Sequence, residues 1–259
     1  MLTSEKAQIH PCYDIKASKS YGRIHLPVIK SCNISCNYCN RLYDCPNENR
    51  PGVTSKILST EHIYDFITDN LKKFPNINIV GIAGPGEVFA EPDIFNESVK
   101  IVKKYFPELK LCFSTNGFGI IDNIESLEKL EIDYITVTIN TLSEETSSKI
   151  HPIDNVNELI TRQILGIKEL SRTKAVLKIN SVFLPDINDN DLVAVAEFAG
   201  KTGVFAHNIM PFYPVKGSAF ENLRTPESKE IDNARNQCSS YIKQLSHCKR
   251  CRADAVGYI

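Results

Sequence analysis

Cys32-Asn33-Ile34-Ser35-Cys36-Asn37-Tyr38-Cys39 places three thiols at a CxxxCxxC spacing. Three thiolates on one short loop can hold three irons of a [4Fe–4S] cluster and leave the fourth iron open to another ligand. Zinc is the competing metal, but its structural sites usually draw on paired CxxC knuckles, which this stretch lacks. Under the iron–sulfur reading, Cys32, Cys36 and Cys39 are both ligands and catalytic residues. The chain carries nine cysteines. Cys45 lies close behind the first three, Cys248 and Cys251 form a CxxC near the C-terminus, and Cys12, Cys112 and Cys238 stand alone. The total is odd, and the first residues, Met1 to His10, contain no apolar leader. Both features argue against a disulfide framework and for metal ligation or catalysis in the cytoplasm. A free cysteine is otherwise a small buried hydrophobe. That reading suits Cys238 and could suit Cys112.

A second group of residues is polar or glycine-rich and recurs after apolar runs. Gly84-Pro85-Gly86-Glu87 follows one such run, and Ser114-Thr115-Asn116-Gly117 ends the next. Asn140, Asn180, Asn208 and Met210 recur in or after the later ones. Singly, each is as readily a turn or a satisfied structural polar group.

Elements able to bring them together are legible in the periodicity. β-branched runs at Arg23–Lys30, Ile77–Ala83, Leu109–Thr115, Tyr134–Ile139, Ala175–Leu184 and Val204–Pro211 read as strands. Amphipathic stretches at Thr60–Phe74, Pro92–Phe106, Asn123–Leu130, Asn155–Leu170, Asp189–Thr202 and Pro226–Ser246 read as helices. Thr60 and Asn188-Asp189 are expected N-caps, and Pro92 suits a first helical turn. Regular βα alternation implies an α/β fold with parallel strands and right-handed crossovers. Six units suggest a partial (βα)6 TIM-like barrel, with the terminal segments as candidates to close it. Residues 1–20 read as a polar arm carrying Cys12, 21–225 as the barrel, and 226–259 as a C-terminal helix and CxxC tail, all within one domain. In such folds chemistry sits at the C-terminal ends of the strands. The 259 residues include 30 Lys+Arg against 31 Asp+Glu, so nucleic acid is not the expected partner. No apolar run is long enough for a membrane span.

The CxxxCxxC loop after the first strand resembles that of the radical S-adenosylmethionine (SAM) enzymes, and Tyr38 before the last cysteine strengthens the likeness. The resemblance implies that Gly84, Gly86 and Glu87 contact the amino group of SAM. It also implies that Asn116, Asn140, Asn180 and Met210, with Tyr38, belong to the SAM site. It narrows further: His25 to Ser55, His10-Pro11-Cys12-Tyr13, His207-Asn208-Ile209-Met210-Pro211 and Cys248-Lys249-Arg250-Cys251-Arg252-Ala253-Asp254 are similar to the NifB family of nitrogenase cofactor biosynthesis. Glu87-Val88 departs from it, since the family more often has Asp-Pro there.

That family resemblance implies three [4Fe–4S] clusters, one that cleaves SAM and two that are substrates. The substrate pair is fused, with a SAM-derived carbide and an extra sulfur, into the eight-iron precursor of the nitrogenase cofactor. Cys45 and Cys112 with His25 are then the expected ligands of one substrate cluster, with His10 competing for the histidine role. Cys12, Cys248 and Cys251 are expected to hold the other, which requires both termini to fold over the barrel mouth. Glu48, with Arg50, could act on a cluster or methyl intermediate; the plain alternative is a surface loop. Cys238 is left over. Implied partners are an iron–sulfur cluster donor, an electron donor such as ferredoxin or flavodoxin, and a downstream cofactor carrier or maturation scaffold. Two rival readings are a radical SAM peptide-modifying enzyme with auxiliary clusters and a non-catalytic iron–sulfur carrier.

Overall fold

The computed structural model describes residues 3–40 and 50–259; Cys45 and Glu48 lie outside the described residues. Six parallel strands form the body of the fold: β1 (Gly22–His25), β2 (Ile77–Ile82), β3 (Lys110–Thr115), β4 (Tyr134–Thr138), β5 (Val176–Phe183) and β6 (Ala206–Pro211). A short β7 (Val256–Gly257) pairs antiparallel with β1, giving the order β6-β5-β4-β3-β2-β1-β7. The curled sheet is a partial TIM-like barrel. Alternation decides its two faces. In β3, Leu111 and Phe113 point outward into the core beneath the helices, while Cys112 and Ser114 line the interior. The outer layer contains α3 (Ile63–Lys73), α4 (Pro92–Tyr105), α5 (Ile120–Leu130), α7 (Val156–Leu170) and α8 (Leu192–Lys201).

Several expected boundaries move for local reasons. The first strand stops pairing at His25 because Pro27 has no N–H to donate; only Ile29 regains a bridge, to Pro85. Thr60 opens a 3-10 turn ahead of α3 and does not cap it. Asp191, not Asn188-Asp189, precedes α8, and it makes no side-chain cap. Asn188 is fully buried and clasps strand ends: its amide donates to Asn140 O (2.8 Å) and Val182 O (2.9 Å) and accepts from Leu184 N (2.8 Å). The last long helix, α9 (Ser228–Cys238), ends well before Ser246, and the chain continues into Ile242 and Leu245, both buried. α6 (Glu144–Ile150) was not expected; it is a short, Ser/Thr-rich helix capped by Ser143.

The termini depart most from expectation. The arm, with α1 (Thr3–Ala7) and α2 (Ala17–Ser20), does not cover the mouth but plugs the opposite, N-terminal end of the barrel. Tyr134 at the start of β4 donates to Lys6 O (2.8 Å), and Asn78 near the start of β2 donates to Ile9 O (2.6 Å). Tyr13 is completely buried there beside Ile79, Tyr134 and Val176. The tail fills the open side of the barrel. Gln244 bridges to His207 on β6, and β7 pairs with β1 at the other edge, so residues 245–255 cross the gap between the edge strands.

Candidate active site

Among the described residues, a continuous cavity in the barrel interior runs from the arm to the mouth. Cys32, Cys36 and Cys39 stand at its mouth, and His25, Cys112, Cys12, Cys248 and Cys251 line it further in. None of the described cysteines is in a disulfide. Among the described residues no three His, Cys, Asp or Glu side chains converge closely enough to hold one ion. The donors are instead spread along the cavity walls. Thiolates on separate irons of a cluster stand farther apart than thiolates on one zinc, so this layout fits polynuclear groups better than a mononuclear site.

The mouth is built around the cysteine loop. Asn37 donates from its backbone to Ile150 O and from its side chain to Lys149 O, both at 2.8 Å, which docks the loop on the C-terminus of α6. Beneath it, Gly86 N donates to Ile29 O and Glu87 N to Ser31 O, again both at 2.8 Å. A Cβ on Gly86 would lie 2.1 Å from Ser31 O, so the loop's backbone passes where only glycine leaves room. The glycine-rich turn thus supports the cysteine loop through its own backbone. Glu91 completes the support by accepting from Lys30 N (2.7 Å) and from the Ser31 hydroxyl (2.9 Å).

Glu87 is buried, and its carboxylate accepts from the Thr115 hydroxyl (2.5 Å), Asn116 N (2.6 Å) and Phe89 N (3.4 Å). Burial nevertheless pushes it up to about 7. Its role in the fold is to fix the end of β3, and Asn116 is presented by that end. The Asn116 amide donates to Asn33 Oδ1 (2.7 Å), tying β3 back to the cysteine loop. Gln163 on α7, missed in the sequence, donates to Asn116 O (2.7 Å) and Thr138 O (3.1 Å) and joins the ends of β3 and β4. Asn140 does not line the cavity. Its amide donates to the Tyr38 hydroxyl (3.0 Å) and accepts from Val182 N (2.9 Å), so it orients Tyr38 from behind. Asn180 lines the cavity and accepts from Asn208 (3.1 Å); Met210 lines it one alternation further along β6.

Deeper in, the sheet register sets the donors side by side. His25 lies opposite Gly81, and Gly81 opposite Cys112. The missing side chain at Gly81 lets the imidazole lean in, with His25 Cδ2 only 3.0 Å from where a Cβ would stand. His25 Nδ1 lies 2.9 Å from Arg252 O. A carbonyl can only accept, so Nδ1 carries the proton and Nε2 keeps its lone pair, as a metal-binding imidazole requires. His10 has the reverse arrangement: its Nδ1 accepts from Cys12 N (3.0 Å), so the proton of the neutral ring is on Nε2. Burial lowers both histidines, His25 to about 4, so both rings are neutral near pH 7. Burial pushes the Cys12 and Cys112 thiols up to about 12, so without a metal they stay protonated. Cys112 lies mid-strand in β3 and faces the interior.

The tail meets the arm where His247 Nε2 lies 3.1 Å from Pro11 O. This brings Cys12 and the CxxC to the same end of the cavity. Arg23, whose role the sequence did not reveal, donates to Cys251 Sγ (2.9 Å), to Tyr258 O (2.9 Å) and to Gly257 O (2.5 Å). Asp254 accepts from Arg252 (2.8 Å) and Ser55 N (2.7 Å), clasping the tail to the segment after the first loop. Arg50 donates to Asn40 O (3.1 Å). Cys238 lies outside the cavity, buried between α8 and α9, where its thiol donates to Leu192 O (3.4 Å).

A partial barrel with a three-cysteine loop after its first strand defines a radical SAM protein. A profile of the Radical SAM superfamily matches residues 26–199, and the chain belongs to that superfamily. Within it, the chain is similar to FeMo cofactor biosynthesis protein NifB. It is 38% identical to that of Chlorobaculum tepidum over 96% of this chain and 62% of the relative. It is also 38% identical to that of Bradyrhizobium diazoefficiens, over 98% of this chain and 54% of the relative. The chain therefore spans little more than half the length of these relatives. Among solved structures, a radical SAM methyltransferase from Sphaerobacter thermophilus aligns with a TM-score of 0.65 at 13% identity, covering 90% of this chain and 68% of that one. Streptococcus suis SuiB bound to S-adenosylmethionine aligns at 0.64 and 14%, covering 87% and 50%. These two likenesses show the fold. No helix among the described residues is long and apolar enough to cross a membrane.

Proposed function

We propose that this chain is a cytoplasmic radical SAM enzyme of nitrogenase cofactor biosynthesis. In this reading it fuses two [4Fe–4S] substrate clusters, with a SAM-derived carbide and an extra sulfur, into an eight-iron precursor. The observation that carries the proposal is the second donor set, His25, Cys112, Cys12, Cys248 and Cys251, in the same cavity as the three-cysteine loop. SAM cleavage alone needs only the loop. The similarity to NifB points the extra donors toward substrate clusters.

A [4Fe–4S] cluster held by Cys32, Cys36 and Cys39 supplies electrons for reductive cleavage of SAM. The residues around it bind and orient. Asn116, Asn180, Met210 and the backbone of Gly84 to Glu87 face the volume beside the loop, where SAM would lie. Tyr38, held by Asn140, closes one side. Deeper in, His25 offers Nε2 to a substrate cluster, alongside Cys112 and Cys45. Cys12 from the arm and Cys248 and Cys251 from the tail hold the other. Arg23, donating to Cys251 Sγ, orients that ligand. Glu48 remains a proposed participant in handling the transferred carbon. Residues 1–259 act as one unit, because both termini contribute ligands. An iron–sulfur donor, a ferredoxin or flavodoxin and a downstream carrier or scaffold are the proposed partners.

Anaerobic reconstitution with iron, sulfide and SAM tests the reading. Expected products are 5′-deoxyadenosine, S-adenosylhomocysteine and a cluster that activates cofactor-free nitrogenase. Intact clusters without any S-adenosylhomocysteine would reject carbide formation. Auxiliary clusters that remain in place after turnover would favour a peptide-modifying enzyme. Loaded protein that neither binds nor cleaves SAM would favour a carrier.

A further inference from the structure

β5 sends Lys178 into the cavity between the inward-facing Val176 and Asn180, in register with Thr136 on β4 and Ala206 on β6. The residue is only 6% exposed. Its Nζ lies 4.9 Å from the centroid of the Tyr13 ring, and among the described residues it makes no hydrogen bond or ion pair. The titratable groups that feel its charge are His10, Cys12, His25, Cys112 and His247. None of these is a carboxylate, and Lys178 has no carboxylate within ion-pair distance among the described residues. A buried ammonium backed by one aromatic face is costly by itself. It becomes favourable when the space in front of it holds an anion.

Iron bound by thiolates is such an anion. A [4Fe–4S] core with three or four thiolates carries net negative charge. We propose that Lys178 is the counter-charge of the deep chamber, placed to donate to a sulfide or thiolate of a substrate cluster bound there. This rests on the reading that the deep chamber receives a cluster. Lys178 binds and positions that substrate electrostatically. Tyr13 acts from the other side, holding the ammonium toward the centre of the barrel.

The test uses the full chain, anaerobically loaded with iron and sulfide, and two variants. Lys178→Met keeps the length and removes the charge; Lys178→Arg keeps the charge. A positive neighbour favours the reduced, more negative cluster. In redox titrations followed by electron paramagnetic resonance, Lys178→Met should therefore shift the deep cluster to a more negative potential, or lose its iron. Lys178→Arg should stay near the original. The signal perturbed by added SAM, belonging to the mouth cluster, should not move in either variant. The metal-free protein supplies a second readout. Relief of an unpaired buried charge predicts a thermal midpoint for Lys178→Met at or above that of the original chain. A structural prop for Tyr13 would instead lower it, and that result overturns the proposal. An unchanged deep-cluster potential in Lys178→Met, or equal loss of its iron in both variants, also overturns it. If the original chain takes up only enough iron for the mouth cluster, the reading of the chamber itself fails.

Discussion

Glu87 shows how a single side chain can couple the site to pH. Three donors reach its carboxylate, yet burial outweighs them and raises it from 4.5 to about 7. Between those values the folded chain holds a proton that the unfolded chain has released. The stability tied to this group is therefore full below about pH 4.5 and is lost as the pH rises through about 7. Glu87→Gln removes the titration while leaving an oxygen for Asn116 N and an amide that can donate to Thr115. The stability of the original chain relative to this variant should fall by about 3 kcal/mol across that window. Urea unfolding of the metal-free proteins at each end of the window measures it, and the buried histidines, present in both, cancel in the difference. A gap that does not change with pH would sink the argument. Glu87→Ala differs in kind: it strands the Asn116 N–H and the Thr115 hydroxyl and should cost about 1–3 kcal/mol for each at every pH.

Between elements, the critical contact is the passage of the cysteine loop over the turn after β2. An alanine at Gly86 would press its Cβ against backbone, 2.1 Å from Ser31 O and 2.8 Å from Lys30 C, and neither can swing aside. Gly86→Ala should destabilise the chain by about 2–4 kcal/mol and displace Cys32. Reconstituted protein should then lose the SAM-perturbed cluster signal before it loses the deep one. Retention of that signal at the original intensity would mean the turn does not set the loop. The loop and the six strands were legible in the sequence because their signals are local: thiols a few residues apart, and β-branched runs bounded by polar turns. The loop's support was not. Gly86 could be read as a residue allowing close approach, but that the approaching group is Ser31 O depends on the β1–β2 pairing. Asn188 carried a local cap signal, yet its amide satisfies strand ends brought near only by closure of the sheet. Lys178 shares a strand face with Asn180, and that two-residue phase was the available clue. Its burial follows from Tyr13, far away in the chain.

At the scale of the whole molecule, the arm and tail complete the cavity from two sides. The arm was expected over the mouth because it carries Cys12. Its aromatic residues settle the matter otherwise: the Tyr13 ring packs 5.4 Å from Tyr134 and 6.1 Å from Phe205, at the base of the barrel. Cys12 still lines the same cavity as the CxxC, because the tail descends the open side, where His247 lies against Pro11. In the metal-free chain the tail is held by edge contacts, chiefly Arg23 on the Gly257 and Tyr258 carbonyls, Arg252 with Asp254 on Ser55, and Arg250 at 3.6 Å over the Tyr213 ring. A cluster shared by Cys12, Cys248 and Cys251 would add covalent links between segments more than 200 residues apart, and such binding stabilises only the folded arrangement. Iron loading should therefore slow hydrogen exchange together in two places, residues 10–13 and 244–257. In the Cys248→Ala, Cys251→Ala double variant, loading should leave exchange at both places as it is in the metal-free chain, while the SAM-perturbed mouth signal persists. The paired response matters, because slowing confined to the tail would indicate ligation without Cys12. If protection on loading survives the double substitution, the closure of the barrel does not depend on these two thiols, and Cys248 and Cys251 are not the ligands that join the tail to the arm.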